Sequence, residues 1–165
     1  MRQTPKLRLA LDHNFPAPVL AAFDSLLGRV ELVAIRDLDP AYAELADWEL
    51  FVALHRRTDI DGLVTNDDAL LSLPKEMTVL SQTHLTLVVA KGEGHSPIRA
   101  VGVLLCHLNH ICEHSQPERA QIWRLSVKQK DAEIPHDYLE KIAERAKSTV
   151  KDIVAAHKLP GSAFV

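Results

Sequence analysis

Five short, nearly continuous apolar runs recur along this chain, at 7–11, 30–35, 61–65, 85–90 and 120–127, and the longer stretches between them carry helical spacing. Runs this short and this uniformly apolar suit strands buried on both faces, as in a parallel sheet. Pro16 and Pro18 open a helix whose apolar side is Val19, Leu20, Phe23, Leu26 and Leu27, and Gly28 is placed to stop it. The segment 36–40 reads as a loop. A second helix follows, with Asp47 near its start and Leu50, Phe51 and Leu54 inward. Residues 69–73 form a short helix ended by Pro74, and 91–95 a loop after the fourth strand. Ser96-Pro97 is a cap followed by proline at the first helical position, opening a helix to about Glu113. Asp137 with Glu140 resembles a capping box for one last helix over 137–157, apolar at Leu139, Ile142, Ala143, Ala146, Val150 and Ile153. Repeated strand–helix units dictate a three-layer α/β/α fold around a mostly parallel sheet of about five strands.

The 165 residues suit one domain spanning 1–165, with no internal repeat or low-complexity tract. A net charge of −3 excludes a chain-wide basic footprint for nucleic acid, though a local basic patch beside a cation can still hold phosphates. No apolar run approaches the ~20 residues a membrane-spanning helix needs. The start, Met1 to Lys6, runs directly into a strand without the apolar core of a signal peptide. Cys106 and Cys112, the two cysteines, fall six apart in one predicted helix, too far for a disulfide, and read as small buried hydrophobes. A reducing, cytoplasmic setting is the expectation.

Chemistry concentrates in four carboxylates. Asp12 closes the first strand, Asp47 opens a helix, and Asp67-Asp68 follow the third strand. Strand ends of an α/β sheet share one rim, where ligand crevices form. Carboxylates converging there repel one another unless a cation neutralises them, which points to a divalent-metal site. Each acid also has a purely structural reading as a helix cap, strongest for Asp47. A cation held by carboxylates lowers the pKa of bound water and stabilises the leaving oxygen of a phosphodiester. Asp12 and Asp67 are the main candidate ligands; Asp47 binds directly or through water, and Asp68 as a ligand or a supporting neighbour. Asn14 and Thr65 are placed to orient substrate or a carboxylate. Arg36, Lys91 and His95 lie in loops near the same rim and are candidates for phosphate contacts.

Three segments in order resemble a known family. Leu-Asp-His-Asn-Phe-Pro at 11–16, Arg36-Asp37-Leu38 with Ala46-Asp47-Trp48-Glu49-Leu50, and Leu63-Val64-Thr65-Asn66-Asp67-Asp68 are similar to the three motifs of PIN-like domains. The resemblance covers residues 7–75 and continues beyond by element order. It implies a parallel α/β/α fold, a Mg²⁺ or Mn²⁺ site of acidic residues, and ribonuclease activity on an RNA substrate. Many such domains are the toxin halves of toxin–antitoxin pairs, as in VapC-type toxins, so an antitoxin protein is an implied partner. The chain departs from the pattern at His13, where Glu is frequent, and at the adjacent aspartates 67 and 68 followed by Ala69-Leu70. Which aspartate of that pair binds metal stays open, and Glu93 is the geometric candidate for the family's remaining acidic position.

Other readings compete. A PIN-like interaction or RNA-binding module with an inert site fits the altered third motif and the acidic balance. A Mg²⁺-dependent phosphatase-like enzyme also places aspartates at strand ends, with Lys91 available as its lysine. His107, His110 and His114 fall on one helix face, and with His136 could form a zinc site, but a stripe facing solvent or a partner is the simpler account. That stripe or the last helix is a candidate homodimer face. No Gly-rich phosphate loop and no Gly-x-Ser-x-Gly elbow is present.

Overall fold

A computed structural model describes residues 7–13, 15, 20, 29–90, 97–125 and 131–164. Its framework is one five-stranded, all-parallel sheet: β1 (Leu7–Leu11), β2 (Val30–Ala34), β3 (Gly62–Thr65), β4 (Thr86–Ala90) and β5 (Gln121–Leu125), in the order β2-β1-β3-β4-β5. Among the described residues six helices accompany it: α1 (Ile35–Leu38), α2 (Asp47–His55), α3 (Pro74–Ser81), α4 (Pro97–His114), α5 (Pro135–Arg145) and α6 (Val150–His157). Three 3₁₀ turns add Pro40–Glu44, Ala69–Ser72 and Gly161–Phe164. The three-layer α/β/α expectation therefore holds.

Alternation along the strands divides the core into two layers. Ala10, Leu63, Leu87, Val89 and Ile122 face α2, α3, α5 and α6, with Phe51 and Leu54 fully buried among them. Leu9, Leu11, Val64, Val88 and Trp123 face the other way, onto Leu104, Leu108 and Ile111 of α4. Each strand supplies apolar residues to both sides, which is why the runs show no polar alternation. Gly62 is required by close strand contact: a Cβ there would lie 1.9 Å from the Thr86 carbonyl oxygen.

The structure corrects several expectations. Residues 36–40 are not a loop throughout: Arg36, Asp37 and Leu38 continue α1, and Asp39 caps the next turn by accepting from the Ala41 amide at 2.9 Å. Pro74 ends the turn Ala69–Ser72 but also begins α3, its fixed φ suiting the first helical position. The single last helix is two. Lys147 takes a left-handed conformation (φ 50°), and Ser148 N–H bonds Ala143 O at 2.9 Å while Lys147 N–H bonds Glu144 O at 3.2 Å, closing α5. Thr149 then caps α6, accepting from Asp152 N–H at 3.1 Å. Asp137 lies inside the first turn of α5, whose cap position is Ile134, so no 137–140 capping box forms. His107 is buried at 5% exposure rather than facing solvent, and His110 stacks edge-on against Trp123 with centroids 5.7 Å apart. Cys106 is exposed and Cys112 half-buried, and neither is in a disulfide, so the reading of two buried hydrophobes fails for Cys106. Of the predicted helix at 16–27 only Leu20 is described, and it is helical; the loop at 91–95 lies outside the described residues. No helix among the described residues is long and apolar enough to cross a membrane.

Candidate metal centre

The strand order reverses between β1 and β3, and the carboxyl ends of those strands are where a doubly wound sheet opens a crevice. Asp12 stands at this point. Its amide continues the ladder one step past β1, donating to Val64 O at 2.9 Å. Its side chain is held from two sides: Oδ2 accepts from Thr65 Oγ1 at 2.8 Å, and Oδ1 lies 2.7 Å from His13 Nδ1. Thr65 is itself buried, and its hydroxyl accepts from the Asp67 amide at 3.1 Å. Thr65 therefore ties the end of β1 to the turn after β3, which fixes Asp12 in orientation.

Asp67 is exposed, and its Oδ1 accepts from the Ala69 amide at 2.8 Å, so it closes the entry to the 3₁₀ turn. Its structural role as a cap and its place beside Asp12 coexist, because an ionised carboxylate retains further lone pairs. Asp47 differs. At the N-terminus of α2 the capping is done by Glu49, whose Oε2 accepts from the Ala46 amide at 3.0 Å. Asp47 is the first helical residue and is half-buried. Burial raises its pKa above the ordinary carboxylate value, and Asp12, Asp67 and Glu76 raise it further; only His13 acts in the opposite sense. These four acids thus share one electrostatic environment. Glu76, in the first turn of α3, escapes the sequence reading because Pro74 is taken there only as a stop.

Asp68 turns elsewhere. It lines a cavity of about 230 Å³ with Ser72, Arg124, Tyr138, Lys141 and Arg145. The adjacent aspartates therefore separate, Asp67 toward Asp12 and Asp47, Asp68 toward a basic surface. Arg36 is exposed and borders a second cavity of about 110 Å³ together with Asp12 and His13. Asn14, Lys91, Glu93 and His95 lie outside the described residues.

Among the described residues, no three carboxylate, imidazole or thiol groups stand close enough to ligate one ion as the side chains are placed. The charge distribution nevertheless fits a divalent cation. Acids outnumber bases around Asp47, whose ionised form is disfavoured, and a hydrated Mg²⁺ needs only one or two direct carboxylates. Among the described residues the His stripe likewise forms no metal cluster. No family model, curated protein or solved structure matches this chain.

Proposed function

We propose that this chain is a Mg²⁺- or Mn²⁺-dependent ribonuclease of PIN-like type. The observation that carries the reading is the coupling of Asp47 to Asp12, Asp67 and Glu76 at the strand-order reversal of the sheet, with its pKa raised and one histidine as the opposing influence. Asp12, Asp47 and Asp67 would hold the ion, with Glu76 through water. The cation would supply a lowered pKa for bound water and charge stabilisation for the leaving oxygen. The chain's own groups do the rest. Thr65 and His13 hold both oxygens of Asp12, so the carboxylate is oriented before substrate arrives. His13 is exposed and within reach of a phosphate oxygen drawn to the rim. Arg36 offers a fork to an adjacent phosphate. A role as the toxin of a toxin–antitoxin pair follows from the motif resemblance at residues 11–16, 36–50 and 63–68, and a cytoplasmic setting from the two cysteines outside any disulfide.

The test is cleavage of a mixed RNA pool with Mn²⁺, with Mg²⁺ and with chelator, for the wild type and for Asp12→Asn and Asp67→Asn. Metal-dependent cutting lost in both variants is the expected result; cutting that persists in chelator or in Asp12→Asn overturns it. The unclosed ligand arrangement favours a second reading, an RNA-binding module without cleavage. RNA binding with no cutting by a folded, metal-loaded protein would select it.

A further inference from the structure

The carboxyl-end rim continues past the acidic cluster. Leu11 is registered against Val64, Thr65 against Val89, and Val89 against Arg124. Asp12, Thr65, Val89 and Arg124 therefore occupy one row across four strands, on the face covered by α2, α3, α5 and α6. At ~4.8 Å per strand the row places Arg124 about 14 Å from Asp12. The acidic end of this row holds the cluster described above. The other end is the 230 Å³ cavity, where Arg124, Lys141 and Arg145 outnumber the one lining carboxylate, Asp68.

Two features mark this cavity as built for an anion. Lys141 and Arg145 are four residues apart on α5, so they share a face, and like charges in that relation repel and disfavour the helix. Both are exposed, and neither forms an ion pair among the described residues, although Glu140 and Glu144 stand on the same helix. Lys141 instead lies over the Tyr138 ring, 5.0 Å from its centroid. Arg124 also lines the cavity, and its buried Nε has no hydrogen-bond partner among the described residues. Tyr138 O–H donates to Glu133 and its oxygen accepts from Arg124, which leaves Lys141 and Arg145 as the pocket's uncommitted donors beside a fixed Arg124. A cavity of about 230 Å³ has room for a phosphodiester unit rather than only a bare ion.

We propose that this pocket is a phosphate subsite for a single polynucleotide strand laid along the rim, with a phosphate at Arg124, Lys141 and Arg145 while another reaches the acidic cluster. This rests on the ribonuclease reading and names how its substrate is held. Opposite charge at the two ends of the row fixes the strand's position: the basic end attracts the backbone, and the acidic end accepts it only with a cation present.

Fluorescence anisotropy of a labelled ten-nucleotide single-stranded RNA, in chelator, tests it without cleavage. The double variant Lys141→Ala/Arg145→Ala should weaken binding about tenfold or more and reduce the steepness of the log–log salt dependence by roughly 0.7 for each phosphate no longer neutralised. Lys151→Ala, which removes an exposed charge on α6, should bind as the wild type does. Wild-type affinity and salt slope in the double variant would overturn the proposal, as would absence of RNA binding by the wild type. AMP binding as tightly as the ten-mer would overturn the strand placement in favour of a mononucleotide pocket. The underlying reading fails separately: RNA binding lost in the double variant, with no metal-dependent cutting by the wild type, keeps the pocket and removes the nuclease. Cutting with the double variant unimpaired in binding does the reverse.

Discussion

The two ends of the carboxyl rim are built from the same row of the sheet and carry opposite charge. At the β1–β3 end, Asp12 is locked by Thr65 and His13, and Asp47 is held where its ionised form is disfavoured. At the β5 end, Lys141 and Arg145 project from α5 beside Arg124. The acidic end is thus rigid and short of positive charge, whereas the basic end is displayed on flexible side chains. The difference teaches how labour can be divided on such a rim. Chemistry requires groups fixed within narrow limits, and backbone capture tolerates mobile cations.

Asp12→Asn should produce the largest change, a fall in metal-dependent cleavage of roughly 100-fold or more, the scale of losing one preorganised electrostatic partner. Steady-state rates with Mn²⁺ measure it, and an unchanged rate would detach the acidic end from the chemistry. Gly62→Ala attacks both ends at once by forcing β3 from β4. With a Cβ 1.9 Å from Thr86 O, it should lower unfolding free energy by about 3 kcal/mol in urea titration, and cleavage and RNA binding should fall together. Thr65→Val, which frees Asp12 Oδ2, should cost about 10-fold to 100-fold in cleavage with the fold retained.

Asp67→Asn and Asp68→Asn sharpen the comparison most directly, because adjacent residues fall at opposite ends. Asp67→Asn should lower cleavage, whereas Asp68→Asn should tighten RNA binding by on the order of 3-fold, the modest scale of one partly exposed charge. Reversed results would exchange the two assignments. The smallest effect concerns pH. Asp47 has its folded pKa raised above 3.8, so its contribution to stability is full below that value and lost as pH rises through the folded value. Without divalent cation, Asp47→Asn should therefore raise Tm at pH 7 by on the order of 1–3 °C and flatten the decline above pH 4. Added Mn²⁺ should stabilise the wild type more than this variant. Thermal melts across pH with and without Mn²⁺ check both.

Much of the scaffold is legible in the sequence because continuous apolar runs leave a sheet buried on both faces little choice. The inward set Leu50, Phe51 and Leu54 follows from helical spacing and is buried as that spacing requires. The break between α5 and α6 is not legible, since Ala146 and Val150 keep the helical period while Lys147, a residue seldom found at positive φ, turns the chain. Thr149 with Asp152 is the available signal. The burial of His107 is legible in the spacing, since it lies three residues after Leu104 and four before Ile111, on the core face of α4. Within the site, Asp12 and Asp67 are visible as strand-end acids and Asp47 as a helix-start acid. Glu76 is hidden behind a proline that reads only as a terminator.

By itself the sequence determined the layered fold and the set of acids at strand ends, because burial periodicity and chain direction are local properties. The tertiary structure decided which acids share an electrostatic environment, that Asp67 and Asp68 face different neighbours, and that Arg124, Lys141 and Arg145 meet. Those facts depend on strand order and helix placement, and charges felt across several ångströms of low-dielectric interior leave no mark on the spacing of residues along the chain.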